Sequence, residues 1–228
     1  MIRIEEHFSR TLEELVERRA KFLAEYQDEA YARRYVALVE KVRDQEKRRA
    51  NSSQLAEAVA RNYAKLLAYK DEYEVARLHA DAAFRRKIEG MFDGDYKVVY
   101  HLAPPLLARK DPVSGEPRKM RFGAWMGSVF NVLSRLKGLR GTPFDPFGYT
   151  DERRMERALI REYEQTVERL LDGLDARNHA LAVQIASLPD EMRGFGHIKA
   201  RNVQAAREKG EALLAQFSAA PASERVAA

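Results

Sequence analysis

The chain has 228 residues, of which 45% are hydrophobic and 33% charged, and it contains no cysteine. Missing thiols exclude a cysteine nucleophile, disulfides, zinc–thiolate sites and iron–sulfur clusters ligated by this chain. The 40 basic residues face 35 acidic ones, for a formal net charge of +5, and the excess is spread out rather than gathered into the stripe a nucleic-acid surface needs.

The first hundred residues hold no proline. Leu12, Leu15, Val16, Phe22, Leu23 and Tyr26 recur at helical spacing, with Thr11 and Glu14 in capping-box positions. A second helix is predicted through Tyr31, Tyr35, Leu38, Val39 and Val42. Its basic end, Lys47-Arg48-Arg49, follows Glu40, Asp44 and Glu46 and reads as a solvated helix face. Asn51-Ser52-Ser53 marks a break and the cap of a third, long helix carrying Leu55, Val59, Tyr63, Leu66, Leu67 and Tyr73. That stripe is predicted to run on through Phe84 and Ile88 until Gly90 stops it.

The centre changes period. Tyr96, Val98, Tyr100 and Leu102 alternate with Lys97, Val99 and His101, and Arg118, Met120 and Phe122 alternate with Lys119 and Arg121. The turn-rich segment Asp111–Pro117 between them predicts an antiparallel hairpin with a long connection. Trp125, Val129, Phe130, Leu133 and Leu136 form a further helix, ended by Gly138 and Gly141. A Pro/Gly-rich loop with Phe144, Phe147 and Tyr149 follows. Thr150 or Asp151 caps a long charged helix through Leu171, a short helix closes at Leu188-Pro189, and a last one reaches Phe217. The expected fold is mainly α, of α+β type, with long amphipathic helices flanking a central β-hairpin. It forms one domain over 1–217, helical at 1–90 and 150–217 with the hairpin, helix and loop at 91–149, and a flexible tail at 218–228.

Catalytic templates are absent: the sequence has no glycine-rich phosphate loop, no nucleophile-elbow serine and no metal-binding histidine pair. Three places could bind something. His101, near Lys97 and opposite a run with Lys119 and Arg121, makes a cationic strand face that either holds a carboxylate or phosphate or stands solvated. The loop with Phe144, Phe147 and Tyr149, preceded by Arg140, is stiffened by prolines and suits docking, onto a partner or onto its own helices. Arg193-Gly194-Phe195-Gly196-His197 brings backbone donors to a helix start, as an anion site or a helix–helix corner. No apolar run is long enough for a membrane span and no signal peptide opens the chain, so a cytoplasmic protein is expected.

Four stretches carry a resemblance: Ala68–Leu78; His101–Arg109 continuing to Phe122–Met126; Leu136–Tyr149 with Glu152–Arg157; and Leu188–His197. Together they resemble the C-terminal region, of unassigned function, of the fused bacterial indolepyruvate ferredoxin oxidoreductases. In that family the whole enzyme oxidatively decarboxylates aryl 2-oxoacids to acyl-coenzyme A, with ferredoxin as acceptor. The resemblance implies thiamine diphosphate, magnesium and iron–sulfur clusters elsewhere in the complete enzyme and none bound by this chain. It implies a non-catalytic accessory domain whose partners are the catalytic domains or a dimer mate; the spread of charge speaks against nucleic acid and the lack of a long apolar run against a membrane. Two alternatives stay open: a free-standing helical binding module for an anionic ligand or RNA, and direct reach of His101 or Arg140 to the 2-oxoacid carboxylate or coenzyme A.

Overall fold

Short polar side chains start the helices. Thr11 sits in extended backbone (φ −123°, ψ 163°) and its hydroxyl accepts the Glu14 amide at 3.2 Å, opening α1 (Leu12–Tyr26). Asp28 accepts the Tyr31 amide at 2.8 Å and opens α2 (Glu29–Arg49). The computed structural model describes residues 9, 11–104, 118–194 and 196–219. Within them the chain is mainly α-helical with one small antiparallel sheet. The remaining elements are α3 (Gln54–Leu67), α4 (Glu72–Ala80), α5 (Ala82–Glu89), β1 (Tyr100–Leu102), β2 (Met120–Phe122), α6 (Met126–Arg135), α7 (Asp151–Gly173), α8 (His179–Ala186) and α9 (Gly196–Ala219). Short 3-10 turns cover Leu136–Leu139 and Leu188–Asp190.

The third helix is not continuous. It stops at Leu67, and Asp71 and Asp81 each restart the chain by accepting backbone amides: Glu74 at 2.8 Å, then Ala83 and Phe84 at 2.6 and 2.9 Å. Those local carboxylate bonds outcompete continuation of the helix without any glycine or proline. The paired strands are also shorter than their alternating runs, with Tyr100 opposite Phe122, His101 opposite Arg121 and Leu102 opposite Met120. At the other end α9 extends through Ser218 and Ala219, two residues into the segment expected as tail. The Asp111–Pro117 turn, Phe195 and residues 220–228 lie outside the described residues.

Contacts group the chain into two compact units, one built from the described residues up to Tyr69 and from Arg154 onward, the other from Lys70–Arg153. These lines fall elsewhere than the 90/91 and 149/150 divisions read from composition. The first unit holds nearly all the buried apolar side chains, from Leu12 on α1 to Phe217 on α9.

Tyrosines are prominent in that core, and five of them donate the hydroxyl to a polar partner. Tyr35 stacks on Tyr63 at 6.1 Å and Tyr63 on Tyr163 at 6.0 Å. Their hydroxyls donate to the Ala60 carbonyl, the Glu164 carboxylate and the Ala186 carbonyl. Burial pushes all three hydroxyl pKa values up, which keeps them neutral donors. Tyr31 and Tyr26 donate to the Leu67 and Tyr69 carbonyls at 3.0 and 2.8 Å, satisfying acceptors that the end of α3 leaves open.

Two charges thought to face water are structural. Glu46 is 0% exposed; its two oxygens accept the Leu55 and Ala56 amides at 2.8 Å each, and the His179 Nε2 lies 2.7 Å from Oε1. Glu46 on α2 thus caps α3, whose own Ser53 makes no side-chain cap bond. Arg49, from the basic run, donates to the Leu171 and Asp172 carbonyls at the end of α7. Replacing Glu46 by Ala strands two helix-start amides and is expected to lower stability by about 2–4 kcal/mol. A urea midpoint equal to wild type would contradict this role.

Candidate functional site

The Lys70–Arg153 unit is built differently. Its fully buried hydrophobic residues are Tyr73, Ala76 and Phe130, whereas the other unit buries the rest of the core. Of the fourteen exposed large hydrophobic side chains among the described residues, all but Ile198 belong to it. An unit with so few buried apolar groups needs other sources of order.

A polar clamp supplies one. Asp71 caps α4 and also pairs with Arg140, Nε to Oδ2 at 2.5 Å and Nη2 to Oδ1 at 3.0 Å, with both side chains at most 5% exposed. The Arg140 guanidinium lies 5.6 Å from the Tyr73 ring centroid. Tyr73 donates its hydroxyl to Asp145 Oδ1 at 3.1 Å, and Phe147 meets the Tyr73 ring edge-on at 5.5 Å. Asp145 in turn accepts the Gly141 and Phe147 amides at 2.9 and 3.1 Å. The turn is closed by Gly148, where an added Cβ would stand 2.7 Å from Asp145 Oδ2. Beside the clamp, Arg153 pairs with Glu72 at 3.3 Å.

A second cluster is aromatic. His79 stacks on Phe130 at 4.8 Å and meets Tyr100 and Phe84 edge-on at 5.5 and 5.8 Å. Its Nδ1 is buried and meets no hydrogen-bond partner among the described residues. Burial, and then the positive charge of Lys70, hold its pKa below the ordinary histidine value. Through Tyr100 this cluster seats the inner face of the hairpin on α4 and α6.

The sequence candidates separate accordingly. Arg140 pairs with Asp71 inside the unit, its guanidinium and that carboxylate both nearly buried. Phe147 turns inward and anchors the loop. Phe144 is 80% exposed and Tyr149 58% exposed, its hydroxyl donating to the Pro143 carbonyl at 2.6 Å. His101 and Arg121 are direct cross-strand neighbours and, like Lys119, exposed. Arg193 and His197 lie in the other unit: Arg193 donates to the Asp190 carbonyl at 2.9 Å, its own carbonyl accepts from Asn202, and His197 is exposed on the first turn of α9. Gly194 there has φ +118°, and an added Cβ would meet Ile198 at 2.9 Å, a close helix corner. Sequence reasoning missed Asp71, Tyr73, Asp145 and His79. The Asp71-Glu72-Tyr73-Glu74 spacing, a capping signature, was the available signal for the first.

Among the described residues no group of three or more His, Cys, Asp or Glu side chains is placed to hold a metal ion. A depression beside Thr11 and Asn51 has Arg43 and Lys47 in its wall, opposed by Glu13, Asp44 and Glu57. What the Lys70–Arg153 unit offers is an apolar surface on a polar frame. The family of unknown function DUF6537 matches over residues 12–212. No curated protein and no solved structure matches the chain.

Two measurements probe this unit, with Trp125, the single tryptophan, as local reporter. Asp71→Asn leaves the buried Arg140 without its counter-ion and is expected to cost about 3–5 kcal/mol. Trp125 emission should then change at lower urea than the helical circular dichroism; coincident, unshifted transitions would contradict the clamp. For His79, the unfolded state takes up a proton near pH 6.5 while the folded state resists it to lower pH. Stability is therefore complete above that value and declines as pH falls below it. His79→Gln should reduce the loss in urea midpoint between about pH 7.5 and about pH 5.5, and an undiminished loss would refute the assignment.

Proposed function

The chain belongs to the family of unknown function DUF6537, and we propose that it acts as a non-catalytic assembly domain that docks through its Lys70–Arg153 unit onto a larger protein. The observation that carries this reading is the gathering of exposed Phe, Trp, Tyr, Met, Leu and Val side chains on one unit that buries almost no core. Isolated apolar residues on a surface mean little, but a unit that exposes about half of its large apolar residues while burying few is the pattern of an interface awaiting its other half. Phe144 and Trp125, at 80% and 61% exposure, are the best anchors, since large aromatics dominate binding energy once covered.

The partner we infer is the catalytic body of a 2-oxoacid:ferredoxin oxidoreductase, on the strength of the four stretches of resemblance. The chemistry of thiamine diphosphate, magnesium and iron–sulfur clusters would reside in that body. The donor set of this chain does not suit clusters, for it has no thiolate. Among the described residues no helix is long and apolar enough to cross a membrane. A free-standing binder of an anion or RNA would use His101, Lys119 and Arg121, but it leaves the apolar surface without a purpose.

Co-expression of the chain with a fused-type oxidoreductase truncated before its C-terminal region tests the reading. Co-elution on size exclusion is expected, and Trp125→Glu combined with Phe144→Glu should weaken association by about tenfold or more while leaving helical content intact. Separate elution of the wild-type chain would overturn it.

A further inference from the structure

The hairpin identifies what kind of segment would dock. We propose that β2 (Met120–Phe122) accepts a third strand from an acidic, extended segment of the partner protein, an inference that rests on the assembly reading above.

Three observations support it. Among the described residues the sheet has two strands of three residues each, and no strand pairs with the outer edge of β2. β2 is the more open strand: Met120 and Arg121 are exposed and Phe122 half-buried, whereas β1 exposes only His101. Such an edge is a ready template for strand addition. The template is held firmly, because Tyr100 on β1 packs at 5.2 Å against Phe130 of α6 and at 5.5 Å against His79 of α4.

Charge sets the chemistry of the incoming strand. Arg121 stands directly opposite His101, and Lys119 precedes Arg121 by two residues, on the same face by strand alternation. Arg118 adds to the basic end. Among the described residues His101, Lys119 and Arg121 carry no ion pair. Arg121 and Lys119 are cationic neighbours that an acidic strand would balance. Carboxylates at alternate positions of an added strand fall beside Arg121 and Lys119. Val99 and Met120, both exposed around the hairpin, offer contacts to apolar side chains. Aliphatic groups of this kind favour a protein segment over RNA, whose recognition draws on phosphate charge and base stacking.

Trp125 lies 6.0 Å from Phe122, ring to ring, and reports on this edge. The test titrates the full chain with a short peptide alternating Asp and Val. Controls are the same peptide N-methylated at every second residue, its Lys-Val counterpart, and polyuridylate. The acidic peptide should shift Trp125 emission to the blue. N-methylation should abolish the shift, and Lys119→Glu with Arg121→Glu should weaken binding about tenfold or more. Strand addition is overturned if the acidic peptide leaves emission unchanged at millimolar concentration, if the N-methylated form binds as well, or if polyuridylate binds with a steep salt dependence and the peptide does not. The doubly reversed variant is also carried through the co-elution experiment. Wild-type co-elution of that variant would overturn strand addition while leaving docking intact, whereas separate elution of the unmodified chain removes the docking reading itself.

Discussion

The Asp71 carboxylate is the constraint on which the Lys70–Arg153 unit depends. One group performs two tasks: it ends the run of helix from α3 by capping α4, and it neutralises Arg140 inside the fold. A buried ion pair of this kind gives little net stability relative to an apolar pair, but losing one partner is expensive. Its value here is geometric. With Arg140 fixed, the following turn can close on Asp145, Phe147 can fold back on Tyr73, and Phe144 and Tyr149 are left facing outward.

The two units therefore rely on different physics. The first is held by burial, with interlocking Leu and Val side chains and a tyrosine ladder whose hydroxyls all find acceptors. Some of its charged pairs, such as Arg34 with Glu164 and Arg207 with Glu162, are half-exposed and add little stability, whereas His179 with Glu46 and Lys199 with Glu156 are largely buried. The second substitutes carboxylate clamps and one aromatic cluster for a core, and about half of its large apolar side chains are exposed. A surface whose shape is preset by polar contacts loses less entropy on binding, which suits a docking module.

Much of the helical framework was legible in the sequence because periodicity and caps agreed, as at Thr11-Glu14 and Asp28. The stripe from Leu55 to Ile88 misled for a physical reason. Its breaks come from Asp71 and Asp81, residues equally at home on a solvated helix face, and only tertiary partners reveal that their carboxylates turn back to the backbone. Glu46 is hidden for the same cause: a glutamate among charged neighbours gives no sign that it will be buried under two amides and a histidine. The loop at 138–150 announced itself through proline, glycine and aromatic density. Which aromatics face outward depends on Asp145, and no local pattern encodes that. The hairpin was visible as alternation, but its pairing is limited to three residues per strand, the part seated on Phe130 and His79.

If the proposed docking holds, the Lys70–Arg153 unit is completed by a partner, whereas the other unit carries its own core. Amide hydrogen exchange tests this most directly, comparing α4 and α6 with α3 and α7 in the isolated chain and in its complex with the oxidoreductase body. The account predicts that α4 and α6 exchange faster than α3 and α7 in the isolated chain and slow by about tenfold or more in the complex. Equal protection of all four helices in the isolated chain, unchanged on adding the partner, would contradict it.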